Sequence, residues 1–410
     1  MYGKWLGGGV GQVLMNYYRN IDRCKIQFDF ICDADSTNIP KDEIESLGGK
    51  VIICPPYQKV FKYMKFLEKL FKENKYKIVH SNINSLSVFP LFVAKRAGVP
   101  IRIAHSHSTA NKKELKKTLI KNMLRPFSRM YANVYFACSE LAGRWLFGNR
   151  AFNKGKVTII NNAIDVEKFI YNEEVRKKIR NELNIELQNN IKQSTICDKN
   201  VENDATNKDY DANKDNLKIG KSTNENNQKV EINDSTLIVG NVGRFVKQKN
   251  HTFLIDIFNE IHKRNSNSIL ILAGQGPLME ETKAKVKELG LKNYVMFLGQ
   301  RNDANELYQA MDVFLLPSLY EGLPLVGVEA QAAGLLCELS SSMTKETKIL
   351  STTNFIDIEI PTEKWAEKVL SDYKNFTRKN SSKEFENNGF EIKREAKKLE
   401  EKYLVLLKSF

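Results

Sequence analysis

Short apolar runs alternate with longer amphipathic stretches along this chain, and the pattern predicts the same strand and helix order in both halves. In the first half, strands are predicted at 25–31, 77–80, 100–105, 134–138 and 156–160, with a helix at 57–71. In the second half, predicted strands at 237–242, 268–273, 295–298 and 313–316 alternate with predicted helices at 250–264, 278–289, 302–311 and 325–333. Apolar strands separated by crossover helices are typical of parallel sheets covered on both faces. The expected fold is therefore α/β with two doubly wound domains.

A polar segment separates the two halves. Residues 188–234 are rich in Asn, Asp, Lys, Ser and Thr, and Tyr210 is their only aromatic residue. Such a segment buries too little apolar surface to offset its ordering entropy, so it is predicted to be a disordered insert. The expected organisation is an N-terminal acceptor domain at 1–165, a connector at 166–187, the insert at 188–234, a nucleotide-binding domain at 235–375, and a helical segment at 376–410 that packs back on the N-terminal domain.

Length and cysteine usage narrow the class of protein. A chain of 410 residues is long enough for two ordinary domains, and it contains no run of eighteen apolar residues and no signal-peptide pattern at its start. We therefore expect a cytoplasmic protein. The six cysteines have no metal-ligand spacing, and we interpret them as small core residues: Cys24, Cys32, Cys54, Cys138, Cys197 and Cys337.

The net charge of +14 is compatible with three kinds of partner: nucleic acid, an anionic membrane and an acidic small molecule. No zinc-finger spacing and no RNA-binding strand pattern accompanies it, which disfavours a nucleic-acid partner. Residues 112–125 place Leu115, Leu119 and Met123 on one helical face among lysines, as in a helix that lies on an anionic membrane surface. A helix that turns the same apolar residues toward the core has an identical period, so both interpretations stay open.

Four charged residues suggest the chemistry. Glu321 and Glu329 lie eight positions apart around a Gly-Leu-Pro segment, and Arg244 and Lys249 follow the predicted strand at 237–242. An activated sugar is a polyhydroxylated ring joined to a pyrophosphate, so its site needs carboxylates that accept from hydroxyls and cations that bind phosphate. The spacing therefore predicts a site for a nucleotide-sugar.

Small residues and strand ends extend this candidate site. Gly243 lets the backbone approach a bound phosphate, and the segment from Gly322 through Leu323 and Pro324 to Leu325 begins a helix whose free N–H groups and dipole favour an anion. The remaining candidates lie at predicted strand ends, where α/β sheets bind ligands: Gly274, Gly276, Leu298, His105 and His107. The acidic pairs Asp33 with Asp35 and Asp209 with Asp211 lie far from the phosphate-binding half in sequence, so no metal site is expected.

Taken together, these motifs resemble those of bacterial glycosyltransferase family 4. The resemblance covers nearly everything outside the polar segment, and its motifs are Gly7–Gly11, Val79–Ser81, Arg102–His107, Ala137–Ser139, Ile160–Asp165, Gly243–Arg244 with Lys249, and the glutamate pair. It implies the GT-B architecture, with two domains that face a cleft, and a chain that starts after the usual first strand. It also implies transfer with retention, without a metal, from a donor linked to UDP or GDP.

The resemblance also implies a role for each matching residue. Arg244 and Lys249 correspond to the family's diphosphate-binding pair, while Glu321 contacts the donor sugar and Glu329 the ribose. The Gly-rich loop, with Gly8 and Gly9, closes over the diphosphate, and His105 or His107 lies near the donor sugar and the acceptor. We therefore expect a hexosyltransferase acting on a lipid-linked saccharide at the inner membrane face in capsule or exopolysaccharide synthesis. Two alternatives remain: a sugar-nucleotide epimerase, and a GT-B homologue that acts as a noncatalytic partner.

Overall fold

The computed structural model describes residues 3–5, 8–108, 115–206, 230–380 and 382–409. Its helices are α1 Gly9–Asn20, α2 Lys41–Ser46, α3 Val60–Asn74, α4 Val88–Arg96, α5 Leu115–Tyr131, α6 Glu140–Phe147, α7 Asn149–Asn153, α8 Glu173–Thr206, α9 His251–Arg264, α10 Met279–Glu288, α11 Ala304–Ala310, α12 Leu325–Ala332, α13 Thr362–Lys374, α14 Ser382–Asn387 and α15 Ile392–Ser409. Its strands are β1 Asp29–Asp33, β2 Lys50–Cys54, β3 Ile78–Ser81, β4 Ile101–Ser106, β5 Val134–Ala137, β6 Val157–Ile159, β7 Leu237–Val242, β8 Ser268–Ala273, β9 Val295–Gly299, β10 Val313–Leu316, β11 Leu336–Ser340 and β12 Thr353–Ile356. The expected alternation of strands and helices is confirmed.

The chain divides into two compact units. The first unit comprises Met1–Tyr171, Leu316–Ile360 and Phe376–Phe410, and the second comprises Asn172–Leu315 and Pro361–Asn375. In both units the paired strands run parallel, which requires helical crossovers between consecutive strands. The fold is thus α/β with Rossmann-like sheets, as the sequence predicted.

In the first unit, strands β3 to β6 form one sheet in the order β3-β4-β5-β6, and β1 pairs with β2 and forms a single parallel bridge with Gly3 at Cys32. The amphipathic helix α1 buries Val13 and Tyr17 against this layer, and α15 packs on α1. Tyr403 of α15 is buried in the same apolar cluster as α1 and β1. The C-terminal helix thus completes the core of the first unit.

In the second unit, the strand order β10-β7-β8-β9 places β7 at the centre of the sheet. All but the last residue of β7 is buried, and every residue of β8 is buried, as expected for strands covered by helices on both faces. Helix α13 packs on α9, and the fully buried Trp365 of α13 meets Phe253 of α9 edge to face. This packing anchors α9, which begins at His251, shortly after the candidate phosphate loop.

A buried acidic residue ties helix α8 to the sheet of the second unit. Asp312 binds Arg176 at 2.6 Å and Arg180 at 2.7 Å, and its Oδ2 also accepts from the backbone N–H of Ile238 at 2.8 Å. Arg180 donates in addition to the carbonyls of Ala310, Asn233 and Thr236. Buried charges are tolerated when each is paired and hydrogen-bonded in this way.

Two sequence expectations about elements are corrected. The first strand begins at Asp29 rather than at residue 25, because the N–H groups of Lys25 and Ile26 both donate to the carbonyl of Asp22 in a turn. Helix α8 continues through Thr206, so the expectation of disorder is wrong for 188–206. The apolar residues Ile179, Leu183 and Leu187 recur every four positions and are buried. This helical period lies just before the polar segment, so the composition of that segment alone did not reveal the helix. Residues 207–229 lie outside the described residues.

The cysteines behave largely as expected. Cys32, Cys54, Cys138 and Cys337 are buried free thiols, and burial raises the pKa of the Cys32 thiol to about 11. Cys24 is exposed, which corrects its expected core position, because it lies in the turn before β1. The side chain of Cys197 lies outside the described part of the chain. None of the helices in the described ranges combines the length and the apolar character needed to cross a bilayer.

Replacing Asp312 by Ala should lower the free energy of unfolding by about 3–5 kcal/mol, because the buried Arg180 would lose its counter-charge. Urea denaturation measures this change. Asp256→Ala is the matched control, because it removes a more exposed ion pair with Lys285 and should cost less than about 1 kcal/mol. Equal losses in the two variants would contradict the role assigned to Asp312.

Candidate functional site

The candidate phosphate loop in the second unit follows β7. The N–H of Gly243 donates to the carbonyl of Ala273 at 2.9 Å, which extends the sheet pairing by one residue. A Cβ on Gly243 would lie 3.3 Å from Cε of Lys249, so the lysine stem packs directly on this glycine. The side chain of Arg244 is exposed and forms no ion pair within the described ranges. The loop therefore presents one exposed guanidinium and one ammonium held near the strand end.

Gly274 and Gly276 lie against this loop. A Cβ on Gly274 would be 2.0 Å from the carbonyl oxygen of Gly243, and a Cβ on Gly276 would be 2.4 Å from that of Phe245. Gly274 also has φ +142°, a backbone conformation that side-chain-bearing residues rarely adopt. Close packing of the two loops is therefore enough to require glycine at both positions, and their contact with a ligand stays a prediction.

A histidine without a predicted role supports the same loop. His251 is buried and stacks on Phe245 with ring centroids 4.1 Å apart, at the start of α9. Phe245 in turn donates its N–H to the carbonyl of Gln275 at 3.1 Å. Burial lowers the pKa of His251 to about 4, so its ring stays neutral beside Lys249 at pH 7.

Leu298 is half-buried in β9, next to Gly299, whose carbonyl accepts from the N–H of Gly274.

In the first unit, the loop that carries Glu321 lies on the residues that follow β4. A Cβ on Gly322 would be 2.3 Å from the carbonyl oxygen of His107, so only glycine allows the two backbones to meet. Asn162 donates its side-chain amide to the carbonyl of Leu323 at 2.8 Å, which holds the same loop from a second side. Glu321 is buried within this arrangement. The structure thus brings the predicted residues Gly322, Leu323 and His107 together.

Helix α12 begins at Leu325, directly after Pro324. Pro324 occupies the cap position, and its carbonyl accepts from the N–H groups of Gly327 and Val328. Glu329 lies on the second turn and is half-buried. The predicted helix start at this segment is confirmed, and the roles of the two glutamates remain predictions.

Three histidine rings cluster at the carboxyl ends of β3 and β4. His105 Nδ1 lies 3.0 Å from His80 Nε2, and His80 Nδ1 lies 2.7 Å from the hydroxyl of Tyr403. The ring centroids of His105 and His107 are 3.9 Å apart. Burial lowers the pKa of all three histidines, that of His107 to about 3, so the cluster is uncharged at neutral pH.

Two asparagines that the sequence analysis missed position His107. Asn82 Oδ1 lies 2.9 Å from His107 Nε2, and Asn84 Oδ1 accepts from the backbone N–H of His107 at 2.8 Å. Because an amide oxygen only accepts, Nε2 of the neutral ring carries the proton and Nδ1 is left as an acceptor. That buried Nδ1 has no hydrogen-bond partner among the described residues. Both asparagines follow β3, so the rule that parallel strands gather ligands at their carboxyl ends could have indicated them.

The Gly-rich segment at the start of the chain is partly helical. Helix α1 begins at Gly9, Gly8 caps it, and a Cβ on Gly9 would meet nothing within 4 Å. Gly7 lies outside the described residues. Gly11 is required by packing, because a Cβ there would be 2.9 Å from the ring of Trp5. Contacts of Gly8 and Gly9 with a diphosphate remain a prediction.

Within the described ranges, no three or more His, Cys, Asp or Glu side chains are grouped so that they could hold a metal ion. Asp33 is buried and accepts from the thiol of Cys54, and Asp209 and Asp211 lie outside the description.

Two family models match this chain. Residues 7–168 match Glycosyltransferase Family 4, and residues 222–349 match Glycosyl transferases group 1. EpsF of Bacillus subtilis strain 168, which is named as a glycosyltransferase, is 31% identical over 368 residues, which are 88% of this chain and 84% of EpsF. The capsular polysaccharide biosynthesis glycosyltransferase CapH of Staphylococcus aureus is 24% identical, and 94% of each chain is covered.

Two further matches carry names or ligands that bear on chemistry. The UDP-Gal:alpha-D-GlcNAc-diphosphoundecaprenol alpha-1,3-galactosyltransferase of Escherichia coli is 25% identical over 67% of this chain and 60% of its own length. Among solved structures, HepE of Anabaena in complex with UDP-glucose aligns with a TM-score of 0.67 at 15% identity, over all of this chain and 99% of HepE. At that identity the likeness shows a shared fold alone.

The buried histidines predict an acid-sensitive fold. The unfolded chain takes up protons at histidine below about pH 6.5, whereas rings whose folded pKa is depressed stay neutral. The free energy of unfolding is therefore not reduced by these histidines above about pH 6.5. Below that pH it falls by up to about 1.4 kcal/mol per pH unit for each such ring. Urea unfolding between pH 7.5 and 5.0 measures this slope.

The variant His107→Gln is the control for this measurement, because it removes one depressed group and should reduce the slope. Carboxylates titrate mostly below this window. A free energy of unfolding that is the same at pH 7.5 and 5.5 would contradict the neutral cluster.

Proposed function

Because this chain belongs to glycosyltransferase family 4, we propose that it transfers a sugar from a nucleotide-sugar donor to a saccharide acceptor with retention at the anomeric carbon. The observation that carries the proposal is the loop after β7, where exposed Arg244 and nearby Lys249 follow a strand end built from glycine. The names of CapH and of the E. coli galactosyltransferase support a lipid-linked saccharide acceptor in cell-surface polysaccharide synthesis. UDP-glucose in HepE favours a UDP-linked hexose as the first donor to test.

In this proposal Arg244 and Lys249 bind the diphosphate of the donor. At an effective dielectric of about 20, a cation about 4 Å from a phosphate charge is favoured by roughly 4 kcal/mol. Negative charge grows on the diphosphate as the glycosidic bond breaks, so part of this attraction arises only in the transition state and lowers the barrier. No metal is needed for this stabilisation, because the two side chains supply the positive charge.

Glu321 and Glu329 are proposed to accept from hydroxyl groups of the sugar and of the ribose, respectively. Glu321 is buried beside Gly322, where a carboxylate discriminates strongly between a hydroxyl and its absence. The backbone N–H groups at the start of α12 add a positive dipole end for negative charge on the leaving group. Leu323 and Leu325 are buried and keep that helix start in place.

The histidine pair is proposed to orient sugar hydroxyls. Nδ1 of His107 is an acceptor with its partner nitrogen fixed by Asn82, so it suits a hydroxyl donor on the donor sugar or on the acceptor. His105 packs on His107 and supports its orientation. The acceptor hydroxyl then attacks from the face that the diphosphate leaves, and a phosphate oxygen takes the hydroxyl proton. This geometry conserves the configuration at the anomeric carbon.

We further propose that helix α5 binds an anionic membrane surface. If its apolar residues faced the core they would be buried, but Leu119 and Met123 are 63% and 65% exposed. Phe127 and Met130 continue the stripe at spacings of four and three residues and are also exposed. An exposed apolar stripe on a basic helix fits the interface of an anionic leaflet, where each lysine contributes about 1 kcal/mol. Such binding would bring the chain to a lipid-linked acceptor.

A donor screen followed by product analysis tests the proposed function. A sugar nucleotide that binds only the folded chain raises its melting temperature, so UDP-, GDP- and dTDP-sugars are compared in a thermal-shift assay. The stabilising donor is then incubated with and without an acceptor. Transfer with the anomeric configuration kept supports the proposal, whereas an isomerised donor without acceptor indicates an epimerase, and binding without turnover indicates a noncatalytic partner.

Arg244→Ala and Lys249→Ala should each lower kcat for transfer by about 100-fold or more, as for loss of one preorganised electrostatic contact. Initial-rate kinetics measure this effect. Lys247→Ala is the matched control: Lys247 is an exposed lysine on the same turn and should keep kcat within about twofold, since it has no assigned contact. Unchanged kcat in both of the first two variants would remove their proposed role.

The double variant Leu119→Glu with Met123→Glu should bind anionic vesicles at least about tenfold more weakly, because two apolar contacts are lost and two negative charges are added. Co-sedimentation with phosphatidylglycerol vesicles measures binding. Ile185→Glu, at an exposed apolar residue of α8, is the control and should bind like the parent chain. If the double variant binds as well as the parent chain, α5 is not the membrane contact.

A further inference from the structure

Asn84, three residues after β3, has a left-handed backbone conformation with φ +52° and begins a short 3-10 turn. Asparagine is among the few residues with a side chain that adopt this conformation readily. The turn is held from two sides. The hydroxyl of Ser128 in α5 donates to the carbonyl of Ser85 at 2.8 Å, and the hydroxyl of Ser81 in β3 donates to that of Ser87 at 2.9 Å. Asn84 therefore projects its side chain from an anchored piece of backbone.

The side-chain amide of Asn84 holds the two residues that follow β4. Its Oδ1 accepts from the backbone N–H of His107 at 2.8 Å, and its Nδ2 donates to the hydroxyl oxygen of Ser108 at 3.3 Å. The residue pairing of β3 with β4 ends where Ser81 meets Ala104. His107 lies beyond that point, so a side chain takes over from the sheet in holding the backbone here.

The loop that carries Glu321 packs on the same two residues. A Cβ on Gly322 would be 2.3 Å from the carbonyl oxygen of His107 and 3.1 Å from Cα of Ser108. Gly322 therefore lies directly against the peptide group that joins these residues, and Glu321 beside it is buried. Because the contact has no spare room, a movement of this peptide toward the loop must also displace Gly322 and its neighbour Glu321.

We propose that Asn84 is a positioning residue for sugar transfer, which sets the His107 ring and the Glu321 carboxylate together by fixing the peptide between His107 and Ser108. This role rests on the proposed function, in which the histidine and the glutamate contact sugar hydroxyls. Asn84 acts through these two residues and needs no contact with a ligand. Small displacements of groups that align two reactants are costly for catalysis, so one hydrogen-bonded amide has a large effect here.

Two substitutions separate the side chain of Asn84 from its backbone conformation. Asn84→Gly adopts a left-handed φ without strain but removes the amide, so both hydrogen bonds are lost. Asn84→Asp also tolerates this conformation and keeps an oxygen for the N–H of His107. Its second oxygen can accept from the hydroxyl of Ser108, which is free to rotate. A role of the side chain is therefore kept in the Asp variant and lost in the Gly variant.

Amide hydrogen exchange of the full chain, measured by mass spectrometry, tests this role without any ligand. In Asn84→Gly, exchange should become at least about threefold faster in both 105–108 and 318–323, as for the loss of one net hydrogen bond. In Asn84→Asp, both segments should exchange like the parent chain. A change confined to 105–108, or an Asp variant that behaves like the Gly variant, would overturn the proposal.

Ser108→Ala is a milder second variant, because it removes only the hydrogen bond that Nδ2 of Asn84 donates. It keeps the proposal testable if Asn84→Gly does not fold. Exchange should again become faster in both 105–108 and 318–323, by a smaller factor than in Asn84→Gly. Exchange that stays at the parent rate in 318–323 would contradict the coupling between the two segments.

Asn133 offers a matched control at the amino end of β4. Its Oδ1 accepts from the N–H of Arg102 and its Nδ2 donates to the carbonyl of Pro100, both at 2.7 Å. Asn133→Gly thus removes two equivalent hydrogen bonds from the same strand, at the edge of the sheet away from Gly322. It should lower the melting temperature but leave exchange in 318–323 unchanged. Faster exchange there would assign the effect to general loss of stability and overturn the proposal.

Kinetics with the donor found in the thermal-shift screen test the consequence for transfer. Asn84→Gly should lower kcat by about tenfold or more, because the groups that align the sugars are misplaced. The KM for the donor should change by less than about threefold, because the proposed diphosphate contacts of Arg244 and Lys249 remain. A loss seen in KM alone would refute the role. A chain that transfers no sugar would refute the proposed function, whereas hydrogen exchange would still decide whether Asn84 couples the two segments.

Discussion

The parallel direction of the paired strands governs where chemistry can occur in this chain. In a parallel sheet every carboxyl end emerges at one edge, so polar residues that end different strands become neighbours. In the second unit this brings the loop after β7 against Gly274 at the end of β8. In the first unit it gathers Asn82, Asn84 and His107 behind β3 and β4. The strands themselves are buried and contribute only position.

Close backbone approach at glycine sharpens that positioning. No Cβ fits where Gly274 meets Gly243 or where Gly322 meets His107. Each loop therefore packs on its neighbour in one defined position. Beside the contact of Gly322 with His107, burial keeps the histidine rings neutral: the pKa values of His80, His105 and His107 are lowered. A neutral ring can accept a hydrogen bond without attracting an anion.

The sequence predicted the central strands of the second unit well, because β7 and β8 are mostly apolar and almost entirely buried. It missed β2, a short edge strand, and misplaced the start of β1, since turn hydrogen bonds at Asp22 leave no trace in hydrophobic period. The candidate charges could be found from their spacing. Asn82 could have been indicated by its position after β3, whereas the contacts of Asn162 and His251 could not, because they depend on which backbone or ring these residues meet after folding.

Helix α8 has a consequence for how this chain tolerates change in length. Its first half is anchored to Asp312, and farther along Gln188 donates to the carbonyl of Val230 at 2.7 Å while Asn184 accepts from Ile232 at 2.9 Å. Two side chains of α8 thus hold the segment that leads into β7. Because an α-helix has 3.6 residues per turn, inserting one residue between Arg180 and Asn184 would rotate one set of contacts by about 100° relative to the other. Between these two attachments the length of α8 is therefore fixed to the residue.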